Sequence, residues 1–252
     1  MTTATRDARS RPVLLSLVLY TLRACLPAKR WVGALLPAAG SVLFGFIAGT
    51  VDDTAVRAFA AVASNALFAL VLPVTCLVIG DAVLGAEVRA GSFTFTWMSP
   101  VPAWKIVAGR WIGGTIAASG SLAVAFALAA VVAGASETAG SAAIAAAFGA
   151  QAYVAVFIAL GCVAKRAAVW SLAFVFLVER LLGAALAGIA QLSPSWEARA
   201  AFIGLSDARD DLIREGIPHG GAALVRLCAI TVVALALASA RLRRLKLTGS
   251  AD

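Results

Sequence analysis

Few residues in this chain are equipped for chemistry, and the most conspicuous stand in apolar surroundings. Glu179 and Arg180 lie side by side inside a long hydrophobic run. Charges within a membrane segment are costly and face a cavity, a path or a partner. Adjacent helix positions point about 100° apart, so these two need not pair with each other. One reading puts Glu179 or Arg180 on a translocation path or dimer interface. The other makes them a structural ion pair with a neighbouring helix or subunit. Asn65, with Ser64 and Thr75, either lines the same path or makes ordinary hydrogen bonds between helices. His219 is the single histidine and has no carboxylate cluster at metal-ligand spacing. No nucleophile motif accompanies it, which leaves an intramembrane hydrolase as a third-ranking reading. Cys25, Cys76, Cys162 and Cys228 also lack ligand spacing and read as small apolar side chains in packed helices. No catalytic, metal or cofactor site is therefore expected on this chain.

The elements that must position these residues are membrane helices. Hydrophobic residues make up 62% of the 252 and charged residues 13%, about half the charged share of a soluble domain. The apolar residues come in blocks of about 20, the length that crosses a bilayer as helix. Continuous blocks exclude a barrel, whose strands alternate. The expected fold is an all-α integral membrane protein in one domain over 1–252. It has six transmembrane helices, at 31–50, 58–80, 111–134, 142–164, 167–190 and 222–240. Residues 1–30 form a tail and an interfacial helix: the apolar run from Val13 to Leu26 is too short to cross comfortably. The rival there is a signal peptide, with Leu22-Arg23-Ala24-Cys25 hinting at a lipoprotein cleavage site. With the N-terminus inside, fifteen of the 21 basic residues fall on the inner side. Both termini are then cytoplasmic. The net charge of +8 reflects that asymmetry and not a nucleic-acid surface. Residues 191–221 make a long external loop, with a short helix around 199–214 that shapes an exit or caps the bundle.

Between the second and third blocks lies a thirty-residue polar interruption, 81–110. Its first ten residues can continue the preceding helix, Gly91 stops it, and Pro100 and Pro102 break the chain again before the next span. Between the breaks stand Phe93, Phe95 and Trp97, alternating with period two. These aromatics either form a knob held by two helical arms or rest at the headgroup level.

This segment resembles the loop between the second and third spans of type-2 ABC (ATP-binding cassette) transporter permeases. Their Glu-x-x-x-Gly-Thr/Ser signature is matched by Glu87-Val88-Arg89-Ala90-Gly91-Ser92. The family continues with Pro-Val and an aliphatic run to Gly-Lys/Arg, matched by Pro100-Val101, Ile106-Val107 and Gly109-Arg110. Ala103 stands where a basic residue is common, with Lys105 the nearest positive charge. The resemblance implies a coupling segment, Glu87, Gly91, Ser92, Phe93, Phe95, Trp97 and Pro100, docked on a nucleotide-binding subunit. The chain has no Gly-x-x-x-x-Gly-Lys-Ser/Thr loop, so ATP and Mg would bind that separate ATPase. The family pairs two permeases, identical or homologous, with two ATPases. The implied function is the membrane subunit of an exporter. The alternative is a stand-alone channel or ion-coupled transporter using Glu179 or Arg180. Gly45-x-x-x-Gly49 is a close helix contact, either at a dimer or in ordinary packing.

Overall fold

The computed structural model describes residues 13–25, 31–51, 54–85, 101–162, 167–206 and 218–244. Among them every regular element is helical, and there is no strand. The helices are α1 (Val13–Cys25), α2 (Trp31–Gly49), α3 (55–85), α4 (Ala103–Val132), α5 (Ala139–Gly161), α6 (167–185), α7 (Pro194–Ser206) and α8 (Gly221–Arg244). Four are long and apolar enough to cross a membrane: Ala55–Val83, Ala103–Val132, Ser136–Gly161 and Gly221–Arg243. Four of the six expected spans meet this measure among the described residues. The first expected span is the 19-residue helix Trp31–Gly49, with Pro37 inside it. The fifth carries Glu179 and Arg180 and ends early, at Ala185.

α4 is the axis of the bundle. At 30 residues it is about 45 Å long, well beyond the roughly 30 Å of bilayer hydrocarbon. Pro102 is its N-cap, in extended conformation, as a proline before a helix should be. α1 and α2 line up along it one after the other. A methyl added at Gly109 would lie 2.8 Å from Leu17 Cβ, and one at Gly113 would lie 2.7 Å from Thr21 Cβ. Higher on α4, Gly45 meets the Ala129 backbone and Gly49 meets Ala133. Both pairings advance in the same direction, so α1 and α2 each run parallel to α4. The Gly45-x-x-x-Gly49 contact is thus packing within the chain. Small residues let backbones approach closely where lipid offers no hydrophobic drive for association.

α5 packs on α4, and α3, α7 and α8 close around it. Ala142, Ala145, Ala146, Gly149, Ala150 and Ala152 are all buried on α5. The larger side chains form an aromatic cluster at its side. Phe68 of α3 meets Phe126 of α4 edge to face at 5.1 Å and stacks on Phe202 of α7 at 5.4 Å. Phe59 adds a further edge contact to Phe202. α4 ends at Gly134, whose φ of +78° sets the left-handed cap conformation. Ala135 N–H then reaches back to Ala130 C=O, closing a Schellman turn.

α3 is not a uniform α-helix. Residues Ala63–Val71 form a wide π turn just before Pro73, which has no N–H to give to residue 69. A second π section, Asp81–Gly85, carries the helix past Gly80 as far as the structure describes it. α6 widens in the same way over Phe174–Leu182.

The largest departure from the expected topology comes after α6. The chain turns extended at Leu186 (φ −120°, ψ 114°), makes one turn at Ala187–Ala190, and enters α7 at Pro194. α7 therefore begins five residues before the expected 199–214 helix; residues 207–217 lie outside the described part. It neither floats above the bundle nor merely caps it. Ala198 faces Gly149, the midpoint of α5, and Pro194, Ser195, Glu197, Ala201 and Phe202 are buried. The segment expected to be an external loop thus inserts a helix into the bundle.

Candidate functional site

Two polar constellations interrupt the apolar interior. The first surrounds Glu179, on the π section of α6, whose side chain is 1% exposed. Tyr153 O–H of α5 donates to one carboxylate oxygen, and Ser193 Oγ donates to the other at 2.7 Å. Ser193 Oγ in turn lies 3.0 Å from Ser195 Oγ. Trp196 Nε1 donates to the Glu179 backbone carbonyl at 3.4 Å, one of the groups loosened by the π turn. Three elements meet there: α5 supplies the phenol, α6 the carboxyl, and the entry to α7 the hydroxyls. The carboxyl is the hook on which α7 hangs. Its partners are neutral donors, and no described cation pairs with it.

Arg180 takes no part in this. It is exposed, about a quarter-turn round α6 from Glu179. The adjacent charges do not pair, as their angular offset allowed. Asn65 is also apart: it faces outward on α3, and its Nδ2 donates to Ala61 C=O within its own helix at 2.9 Å. Thr75 likewise bonds back to Val71 C=O at 2.7 Å. Ser64 is buried. His219 is exposed at the entry to α8, next to Gly204. No group of three metal-ligating side chains occurs among the described residues.

α7 carries a second buried carboxylate, Glu197, which is fully enclosed. Its Oε1 meets Arg226 of α8 at 3.5 Å, tying α7 to α8 as Glu179 ties it to α6.

The second constellation lies toward the end of the bundle where α3 leaves and α4 enters. Arg110, 2% exposed, is the largest fully buried side chain. Its Nη1 donates to Val83 C=O of α3 at 2.6 Å, and its guanidinium sits 5.8 Å from the ring centre of Tyr20 on α1. The geometry stems from two local facts. The π turn at 81–85 frees carbonyls, and a guanidinium presents donors in a fixed fork to claim one. Arg110 thereby joins α1, α3 and α4 at one point. The residues expected to couple to a partner, Glu87, Gly91, Ser92, Phe93, Phe95, Trp97 and Pro100, lie outside the described residues, in the sequence between the two helices that Arg110 links.

Tyr153 and Ser193 are the functional candidates that sequence reasoning missed. Tyr153 is one of two tyrosines and sits in an alanine-rich helix, where an isolated hydroxyl needs a partner. That signal was present, although the partner, 26 residues away, was not.

No protein-family model and no curated protein matches this chain. Its apolar helices fit an integral membrane protein.

Proposed function

We propose that this chain is the permease subunit of an ATP-driven exporter, working as a pair of permeases with a separate ATPase. The charge asymmetry of its loops supports cytoplasmic termini in a bacterial plasma membrane. The observation that carries the reading is the Arg110 junction. α3 runs as helix to residue 85, α4 starts at Ala103, and the segment between them bears the permease-like Glu87 to Arg110 pattern. Because Arg110 binds the Val83 carbonyl, the two arms are fastened together at their base. A push on the aromatic segment would therefore move α3 and α4 as one body and carry α1 with them through Tyr20. ATP binding on the partner would bias that two-state motion. Glu179 then serves as the fulcrum that keeps α7 in register with α5 and α6.

The test uses the chain reconstituted with its ATPase. Glu87→Ala should lower coupled ATP hydrolysis while both subunits still fold. Arg110→Gln should leave the two proteins bound but weaken the dependence of hydrolysis on the permease. Unchanged hydrolysis in both variants would overturn the reading.

A second reading, an ion-coupled transporter, draws on Glu179 itself: a buried carboxyl with hydroxyl partners is a group able to take and release a proton. Under that reading the purified chain moves its substrate alone, down a proton gradient, and Glu179→Gln abolishes the flux.

A further inference from the structure

A cleft of about 790 Å³ opens between α5, α6 and α8. One wall is a single face of α8, with Arg226, Ile230, Ala234, Leu237 and Arg241 recurring at helical spacing. Leu160 of α5 and Phe174 of α6 form the opposite wall, and Gln191 closes one end. We propose that this cleft binds an anionic phospholipid, with an acyl chain along Ile230–Leu237 and the headgroup phosphate at Arg241.

The two arginines decide the polarity of the ligand. They stand about 22 Å apart along the helix, at opposite ends of the cleft. Arg226 is already matched by the enclosed carboxylate of Glu197 at 3.5 Å. Arg241 is exposed and makes no ion pair or hydrogen bond among the described residues. The unmatched charge is therefore at one end only, beside Arg243 near the end of α8. A ligand that satisfies both features is long, apolar and anionic at one tip. A free phosphate would leave the apolar walls bare. The cleft lies outside the proposed coupling and hook residues, so it stands or falls independently of the transport reading.

The full chain, in phosphatidylcholine bilayer discs with and without phosphatidylglycerol, provides the test by native mass spectrometry. The wild type should retain phosphatidylglycerol over phosphatidylcholine roughly fivefold, the effect of one well-placed arginine. Arg241→Gln should bring the two to parity, whereas Arg243→Gln, outside the cleft lining, should keep the preference. A phosphatidylglycerol with a photoreactive acyl chain should label the wild-type chain between Ile230 and Leu237, a result that needs no variant to fold. Parity in the wild type, an equal loss in both variants, or labelling elsewhere would overturn the site. So would a disulfide between two copies of an Ala234→Cys variant, which would make the cleft a protein interface.

Discussion

At the residue scale, the carboxyl of Glu179 is the most consequential group in the described structure. It is buried among hydroxyls contributed by two other elements, Tyr153 on α5 and Ser193 before α7. Hydrogen bonds between membrane helices are worth about 0.6 kcal/mol on average and about 1.7 at most, because the unfolded segments find other partners. Tyr153→Phe should therefore lower thermal stability in detergent by about 1–2 kcal/mol, towards the upper end because an ionisable acceptor loses its donor. Glu179→Gln should cost a similar amount. The two together should cost less than their sum, since one shared bond cannot be lost twice. Strict additivity in that cycle would show that the phenol and the carboxyl do not interact. Glu179 was recognisable in the sequence because a charge in an apolar run stands out. What it holds was not: neither the tyrosine nor the serine is unusual by itself, and the contact depends on how α7 returns. Arg110 was visible only as part of a motif. Its enclosure depends on the π turn at 81–85, which no residue type announces.

At the element scale, close approach between small residues accounts for most of the packing. Gly113→Leu would drive a side chain into Thr21 and the Val18 carbonyl, so it should destabilise by about 1–3 kcal/mol and expose α1 to protease. Gly120→Leu lies on the same helix with nothing within 4 Å and should change little. Equal effects at the two positions would refute the docking of α1 on α4. The helix blocks themselves were legible from hydropathy: α1, α2, α5 and α8 begin and end within a few residues of the expected limits, apart from the far end of α8. α4 extends eight residues earlier than its block, back to Pro102. Those residues include Trp104, Lys105 and Arg110, which a hydropathy reading assigns to a loop but which here continue the helix. The fifth block misled for a different reason. Its break falls at Leu186, neither a glycine nor a proline, in the stretch between Glu179 and the Ser193 that bonds it. Pro194 opens α7, five residues ahead of the expected start. The acidic and basic residues beyond it drew the expected helix outward, away from the buried half.

At the scale of the whole molecule, packed helices connect the two constellations. Arg110 gathers α1, α3 and α4 at the base, and the aromatic cluster of Phe59, Phe68, Phe126 and Phe202 joins α3 and α4 to α7. Glu179 and Glu197 then fasten α7 to α5, α6 and α8. Under the proposed coupling, motion imposed at the Arg110 junction would reach the inserted helix through these packed side chains. The most direct measurement places a photocrosslinking amino acid at Phe95 in cells and identifies what it captures. The account predicts a separately encoded ATP-hydrolysing subunit, in a yield that changes when nucleotide is trapped. Capture of lipid alone, with the purified chain transporting unaided, would contradict it.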